Sequence, residues 1–379
     1  MKAAFYILAI SLCISCINNT ENNNTAIIDL DKTRDTVSAR KFSENIKIRL
    51  TPLETSGSSY FDGDASKMIV NNYIFILDRL QNSILCFNKE GKFIHKMNRT
   101  GSGPHEYVRP FGITVSEESV FILDHNKIQR YNLKGQYKST IKLAQRGYQI
   151  VASDNGNLAV TGSYTDTYQL ILYDTTGRII HPYLQSRSEL SDMTIKRATM
   201  QSMGSYNNEP YLTNYFDYSV YTIKPDTAQI LINFDFVPYN IPDTMFKGSP
   251  EQKKEAFSQQ RENAVMSIDH VTVTDKWIIF VPELLNRNMV VYYNRKDNSY
   301  LLNKWLQFPY SILLGGYNAP HGYDQQSGLY YTLISSQKLK SILENLSEND
   351  QLKSYPFLAS IDYQKINETD NDWILWFSI

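Results

Sequence analysis

The stretch VFILDHNKIQRYNLKGQYKSTIKL, residues 120–143, decides the fold of this chain. It contains a short apolar strand, a polar turn, a second strand that ends in Tyr131, a glycine turn and a third strand. The same order of segments starts at Ile74 and again at Leu158. The unit returns about every 40 residues, a period that is typical of the four-stranded blades of β-propellers.

An aromatic residue, an Asn or Asp, and a glycine recur at the second turn of each copy. The three versions are FNKEG (87–91), YNLKG (131–135) and YDTTG (173–177). The Asn or Asp side chain can accept hydrogen bonds from nearby backbone, and glycine adopts the left-handed conformation that other residues avoid. We therefore predict a tight turn at each site, with the aromatic ring packed between neighbouring sheets.

Six candidate second strands can be followed along the chain, which predicts an all-β, six-bladed β-propeller. They are YIFILD (73–78), VFILD (120–124), LAVTG (158–162), PYLTNY (210–215), WIIFVP (277–282) and GLYYTL (328–333). The terminal segments NIKIRLTPL (45–53) and DWILWFSI (372–379) match no copy of the repeat. We expect these N- and C-terminal strands to pair in one blade, because closing the ring removes exposed sheet edges.

Two insertions interrupt the repeat, and both have helical patterns. In residues 248–263, Ser249 can cap a helix, Pro250 suits its first turn and Gln252 completes a capping box. Residues 335–350 are amphipathic with helical spacing. We expect both helices on the rim or on a face of the ring.

The first 16 residues resemble the signal peptide of a bacterial lipoprotein. Lys2 is followed by an apolar run of about a dozen residues, and Ser15 precedes Cys16, the candidate for lipidation. An ordinary cleaved signal peptide is the alternative. Residues 17–44 are rich in Asn, Thr and Asp, so we expect a flexible tether that leads to a propeller over residues 45–379.

Composition excludes some classes of function. The chain has 38 Lys and Arg against 39 Asp and Glu, whereas nucleic-acid-binding domains normally carry a basic excess, so we expect no nucleic-acid partner. No cofactor is expected, because the histidines are scattered singly and no HExxH or GxSxG pattern occurs. Cys86 lies in an apolar run, which predicts a buried, unreactive thiol.

The segment RTGSGPHEYVRP, residues 99–110, has the composition of a phosphate-binding loop. Its glycines are not followed by Lys-Ser/Thr, as a P-loop requires, and Glu106 replaces the third glycine of a dinucleotide fingerprint. We interpret the segment as a link from the outer strand of one blade to the inner strand of the next, anchored by Tyr107.

Residues 74–143 resemble NHL-type propeller repeats, in which a Gly-rich linker precedes an apolar strand ending in Asp and an aromatic-Asn/Asp-x-x-Gly turn. The matching residues are Gly101, Gly103, Tyr107, Pro110, Gly112, Ile113, Val115, Asp124 and Gly135. The whole chain is similar to the six-bladed propeller lipoproteins of Bacteroidota, which have NHL- or TolB-like repeats. The resemblance implies a propeller fold and a cell-envelope location, and it implies no settled activity.

We expect the protein to be a non-catalytic binding module whose partner is an unidentified protein or carbohydrate. The links between blades and the loops between second and third strands share one face of a propeller, here called the loop face. These loops are rich in Tyr and Arg, which are favoured at interfaces. The candidate ligand-binding residues are Arg79, His105, Glu106, Tyr107, Arg109, His125, Asn126, Tyr164, Asp166, Tyr168, Tyr215, Asp217 and Arg287.

Two other functions stay open. The acidic residues that could serve a metal-dependent, lactonase-like hydrolase are Asp78, Asp124, Asp217 and Glu283. The alternative for Asp78 and Asp124, which end strands, is hydrogen bonding to the backbone of turns. His105 and His125 could form a metal pair. Aromatic side chains beside amides and carboxylates also suit a glycan-binding accessory protein of polysaccharide uptake.

The lipoprotein resemblance leads to an expected location. A lipid at Cys16 would hold the protein on the outer membrane. No acidic cluster directly follows Cys16, and in Bacteroidota such a cluster would favour export to the surface. We therefore expect the propeller to face the periplasm.

Replacement of the candidate lipidation site tests the anchor. Cys16→Ala removes the thiol that would carry the lipid, so the protein should move from the membrane fraction to the soluble fraction. Cell fractionation with immunoblotting measures this. Cys86→Ala is the control and should leave the distribution unchanged, and a Cys16→Ala protein that stays with the membranes would contradict the anchor.

Overall fold

The computed structural model describes residues 24–33, 36–63, 66–153, 156–162, 166–185, 202–207, 209–315 and 319–379. In this part of the chain, short apolar strands and polar turns build six sheets, each a blade. Blade 4 includes β1 (Thr25–Ile27), and blade 6 includes β2 (Lys47–Pro52). Blade 1 consists of β3 (Ser66–Val70), β4 (Ile74–Asp78), β5 (Ser83–Phe87) and β6 (Phe93–Met97). Blade 2 consists of β7 (Gly112–Val115), β8 (Ser119–Asp124), β9 (Lys127–Asn132) and β10 (Tyr137–Lys142).

The remaining blades repeat this plan. Blade 3 consists of β11 (Gln149–Ala152), β12 (Leu158–Thr161), β13 (Tyr168–Tyr173) and β14 (Ile179–Gln185). Blade 4 adds β15 (Met203–Tyr206), β16 (Glu209–Thr213), β17 (Ser219–Lys224) and β18 (Thr227–Asp235) to β1. Blade 5 consists of β19 (Ile268–Val273), β20 (Trp277–Pro282), β21 (Val291–Asn294) and β22 (Tyr300–Leu302). Blade 6 adds β23 (Gly322–Asp324), β24 (Leu329–Ile334) and β25 (Trp373–Ser378) to β2.

The six blades form a closed ring, which confirms the predicted fold. The first strand of each blade is the inner one, and neighbouring inner strands contact one another from β23 through β3, β7, β11 and β15 to β19. They line a central channel. The expected closure is also confirmed, because β2 pairs antiparallel with β25, with Ile48 opposite Phe377 and Leu50 opposite Leu375. One blade therefore contains both ends of the ring.

The hydrophobic core lies between blades. The aromatic residue before each glycine turn is buried against the preceding blade. Phe87 packs with Trp376 of blade 6, Tyr131 with residues of blade 1, and Tyr173 with residues of blade 2. Cys86 is buried in the same layer, and burial raises the pKa of its thiol to about 12, which confirms the predicted unreactive cysteine.

The predicted turns are confirmed, and they also dock one blade on another. Asn132 Oδ1 accepts hydrogen bonds from the backbone N–H groups of Lys134 (3.1 Å) and Gln136 (2.8 Å). Gly91, Gly135 and Gly177 have φ of 82°, 76° and 93°. Each of these glycines approaches the outer strand of the preceding blade, and a Cβ on Gly91 would lie 2.0 Å from the carbonyl oxygen of Pro52 in β2. Glycine is therefore needed for both its conformation and its size.

The N-terminal segment is part of the folded domain. β1 adds a parallel fifth strand to blade 4, and helix α1 (Thr36–Asn45) leads into β2 of blade 6. Between them the chain crosses blade 5, where Lys304 Nζ donates to Leu30 O (2.6 Å) and Phe42 contacts Tyr292 with ring centroids 5.1 Å apart. The prediction of a flexible tether over residues 17–44 is therefore wrong for its described part, because Ile28, Leu30 and Phe42 are buried in the core. Residues 1–23, with the predicted signal peptide and Cys16, lie outside the described residues.

The two predicted helices form as α2 (Pro250–Gln260) and α4 (Ser336–Glu348), in connections on the loop face. Two short helices that were not predicted, α3 (Tyr310–Leu313) and α5 (Pro356–Ala359), lie in the β22–β23 and β24–β25 connections. The capping box of α2 is present, with Ser249 N donating to Gln252 Oε1 (2.8 Å). The insertions belong to the links and loops of blades 4 to 6, whereas the loops between the second and third strands of blades 1 and 2 are short. Among the described residues, no helix is long and apolar enough to cross a membrane.

Alanine substitutions at two glycines test the docking of turns. Both Gly91 and Gly328 have positive φ, but only Gly91 has backbone close to where a Cβ would lie. Left-handed strain costs about 1–2 kcal/mol at either position, and overpacking should cost Gly91→Ala a further ~1–3 kcal/mol. Chemical denaturation measures both free energies of unfolding. Equal losses in the two variants would show that the contact with β2 is not important.

Candidate functional site

Three basic side chains meet around one aromatic ring at the mouth of the channel. Phe111 directly precedes the inner strand β7, and its carbonyl oxygen accepts a hydrogen bond from Arg79 Nη2 (3.0 Å). The guanidinium of Arg109 lies 5.7 Å from the centre of the Phe111 ring, and the His125 ring lies 4.0 Å from it. These four residues are called the mouth cluster. Arg79 and Arg109 are exposed, so the cluster can be reached from solvent.

Two buried aspartates hold the backbone that presents the cluster. Asp78 ends β4, and its Oδ1 accepts from the backbone N–H groups of Leu80 (2.9 Å) and Gln81 (3.0 Å), just after Arg79. Asp124 ends β8, and its carboxylate accepts from the N–H groups of Val108 (3.0 Å) and Arg109 (3.2 Å). The backbone-bonding interpretation of these residues is therefore the one that the geometry supports, and Asp124 positions Arg109.

His125 has an unusual environment. Its φ is 51°, and its Nδ1 is buried without a hydrogen-bond partner among the described residues. Desolvation lowers the pKa of the imidazole, and the charges of Arg146 and Arg109 lower it further, while Asp124 acts in the opposite direction. The proton is therefore held less tightly by His125 than by an ordinary histidine.

Below the mouth, three basic residues lie on neighbouring inner strands. Lys67 is in β3 of blade 1, His270 is in β19 of blade 5, and His321 directly precedes β23 of blade 6. They are called the channel group. Lys67 and His321 are half-buried, and His270 is exposed. Desolvation, with the charge of Arg79, lowers the pKa of Lys67 to about 8, and desolvation, with the charges of His270 and Lys67, lowers that of His321 to about 4.

Several predicted ligand-binding residues belong to the scaffold. Tyr107 is fully buried, and its hydroxyl donates to Met97 O (3.1 Å), so it anchors the linker and is not available to a ligand. Tyr215 is buried against Phe216 and under the α2 insertion. The Asp217 carboxylate accepts hydrogen bonds from Ser219 N (2.9 Å) and Tyr221 Oη (2.6 Å), and these bonds stabilise the turn before β17.

The other predicted residues are dispersed. His105 stacks on Tyr137 with ring centroids 4.0 Å apart, and Glu106 Oε2 accepts from Gly103 N (2.8 Å). Tyr168, the first residue of β13, packs against the core between blades 2 and 3. Asn126 is exposed beside His125, and Asp166 is half-buried. Tyr164 lies outside the described residues. Of the predicted set, Arg79, Arg109 and His125 are the residues that come together in the mouth cluster.

Arg287 has a structural partner that the sequence concealed. Its Nη1 donates to Asp31 Oδ1 (2.7 Å) and its Nη2 to Tyr239 Oη (2.6 Å), with the guanidinium 4.5 Å from the Tyr239 ring centre. Asp31 belongs to the segment predicted as a tether. Arg287 therefore fastens the N-terminal segment to the loop face.

The acidic candidates do not assemble into a metal centre. Across the described residues, no group of three or more His, Cys, Asp or Glu could hold a metal ion. His105 and His125 contact different aromatic rings, so the suggested histidine pair does not form. Glu283 and Asp269 both accept from Ser267 Oγ, at 3.0 Å and 3.2 Å.

Phe111 and the channel group were missed by sequence reasoning. The available signal was position rather than motif: Phe111, Tyr148 and His321 each directly precede an inner strand, at the mouth of the channel. Tyr148 also contacts Phe111, with ring centroids 6.1 Å apart. A search of each repeat at that position would have identified Phe111, Tyr148 and His321, but not Lys67 or His270, which lie within β3 and β19.

The family model for a domain of unknown function, DUF4934, matches residues 25–378 of this chain. The chain belongs to the DUF4934 family. The match begins at β1, so the N-terminal strand of blade 4 is part of the DUF4934 domain. No protein of curated function matches the sequence.

Solved structures share the fold of this DUF4934 propeller. A protein of Bacteroides fragilis that is named a putative exported protein has 17% identity and a TM-score of 0.71, with 94% of this chain and 99% of that chain covered. A DUF4221 protein from Bacteroides vulgatus has 11% identity and a TM-score of 0.50, with 88% and 98% covered. Virginiamycin B lyase from Staphylococcus aureus is more distant, with 16% identity, a TM-score of 0.43, and 76% and 82% covered.

Titration of His321 tests the electrostatics of the channel. NMR should give an imidazole pKa of about 4 for His321. Lys67→Met should raise this pKa, because one repelling charge is removed. Since the folded pKa lies below the ordinary value of about 6.5, the unfolded state binds the proton first as pH falls. Stability should therefore decrease from about pH 6.5 towards pH 4, and less so in His321→Gln. A His321 pKa near 6.5 would contradict this environment.

Proposed function

We propose that this protein is a non-catalytic binding module of the bacterial cell envelope, which takes its partner on the loop face at the mouth cluster. The observation that carries the proposal is the meeting of Arg79, Arg109 and His125 around Phe111. Exposed guanidinium groups beside an aromatic ring suit binding, because Arg and aromatic residues contribute most to interface energies. The short loops of blades 1 and 2 leave this part of the face accessible.

Envelope location and the lipid anchor are part of the same proposal. The first 16 residues, which resemble a lipoprotein signal ending at Cys16, support both. The NHL-like linker supports a family connection with envelope propellers. We infer a periplasmic orientation from the absence of an acidic cluster after Cys16.

The geometry favours binding over hydrolysis. The carboxylates of Asp124 and Asp217 hold backbone or tyrosine groups, so their oxygens are already engaged. A glycan is the second candidate for the partner, because the rings of Phe111 and Tyr148 lie together at the mouth beside guanidinium groups. Sugar faces stack on such rings.

Site-specific crosslinking tests the loop face. A photoreactive residue at Val108, whose side chain is 54% exposed in the linker, should form adducts in cells. The same residue at Lys134, in a turn on the opposite face, should not. Mass spectrometry then distinguishes protein from glycan adducts.

Arg109→Ala should reduce the Val108 adducts without lowering Tm, because Asp124 bonds the backbone and not the side chain of Arg109. Adducts only at Lys134, no adducts at either position, or an equal yield in Arg109→Ala would each contradict the proposal. An equivalent loss of Tm would assign Arg109 to the scaffold.

A further inference from the structure

The channel group and the mouth cluster form one continuous series of basic side chains. The charges of His270 and Lys67 act on His321, the charge of Arg79 acts on Lys67, and that of Arg109 acts on Arg79. The series therefore runs from the inner strands of blades 5, 6 and 1 to the loop face of blade 2. At the mouth, Arg146 extends it towards blade 3 through its effect on His125.

Carboxylates near this series are engaged elsewhere. Asp124, which faces His125, bonds the N–H groups of Val108 and Arg109 and lies 3.6 Å from Lys127 Nζ. Asp269 and Glu283, the acidic groups of blade 5 at this end of the channel, share the hydroxyl of Ser267. Among the described residues, the charged groups that lower the pKa values of Lys67 and His321 are the basic side chains of Arg79, His270 and Lys67.

This concentration of charge is not a result of composition. The chain is nearly neutral, with a formal charge of -1, so a carboxylate could have been placed opposite Lys67. An ammonium enclosed by protein without a counter-ion lowers stability. Such an arrangement is favourable only when a ligand supplies the missing negative charge, and a channel with low-dielectric walls strengthens that attraction.

We propose that the channel admits the anionic group of a ligand from the loop face and binds it between Lys67, His321 and His270, with Arg79 and Arg109 at the entrance. The group is a carboxylate, phosphate or sulfate, because these match ammonium, imidazole and guanidinium donors. The inference rests on the proposed function, since it states the chemical class of ligand that the loop face receives. Phe111 and Tyr148 would contact the remainder of the ligand.

Calorimetry with small probes tests the charge requirement. Inorganic phosphate, sulfate and galacturonate are compared with galactose, which has the same ring as galacturonate without the carboxylate. At least one anion should bind and galactose should not, and the comparison of phosphate, sulfate and galacturonate identifies the preferred group. Binding of galactose as tight as that of galacturonate, or no binding of any anion, would overturn the proposal.

Variants of Lys67 locate the site. Lys67→Met should weaken anion binding about tenfold or more, Lys67→Arg should retain it, and Lys134→Met on the opposite face is the matched control. Lys67→Met should not lower Tm, because it removes a charge that has no carboxylate partner among the described residues. Unchanged affinity in Lys67→Met would overturn the channel site, and so would a lowered Tm combined with loss of binding in Lys67→Arg.

The failures of the two proposals can be told apart. If Val108 adducts form and depend on Arg109 while no anion binds, the loop face is a binding surface and the anion site is refuted. If anions bind through Lys67 and no Val108 adduct forms, the channel site stands and the proposed partner surface fails. NMR gives an independent readout, because a bound anion should raise the pKa of His321.

Discussion

The antiparallel pairing of β2 with β25 is the constraint on which the rest of the structure depends. An open array of six sheets would expose the edges of its first and last blades, and closing the ring covers them. The N-terminal strand enters the sixth blade as its outer strand, and Trp376 Nε1 bonds Thr51 Oγ1 (3.1 Å) across this pairing. Once the ring is closed, every blade packs against a neighbouring blade on both of its faces.

The hydrophobic layers between blades are built from one local unit, an aromatic residue followed by a glycine turn. The aromatic residue fills the space between blades, and the turn after it rests on the outer strand of the preceding blade, where only glycine fits. For blade 1 that preceding strand is β2, so the same unit that stacks the blades also rests on the closing strand. The N-terminal segment adds a second fastening across blades 4, 5 and 6, through β1, Leu30 and the contact of Asp31 with Arg287.

The rigid ring explains how a site can be built from distant parts of the chain. Residues that directly precede or follow the inner strands of different blades face one channel, although they lie far apart in sequence. Phe111, Arg79 and His125 meet in this way at the mouth, and Lys67, His270 and His321 lie on or directly before the inner strands of neighbouring blades. Because backbone bonds from Asp78 and Asp124 fix the loops, the scaffold can hold like charges close together at a cost in stability that a ligand would offset.

The sequence by itself determined the blade repeat, the six second strands, the closing strands, the capping of α2 and the buried state of Cys86, because these depend on local periodicity and turn chemistry. It did not reveal that β1 pairs with β18 or that Arg287 binds Asp31, since a short segment of mixed composition carries no periodic signal. It also did not distinguish Tyr107 and Tyr215, which are buried, from Arg79 and Arg109, which are exposed. Only the tertiary structure decided the site, because the channel is defined by strands from six blades, and electrostatic coupling depends on distances that no spacing along the chain encodes.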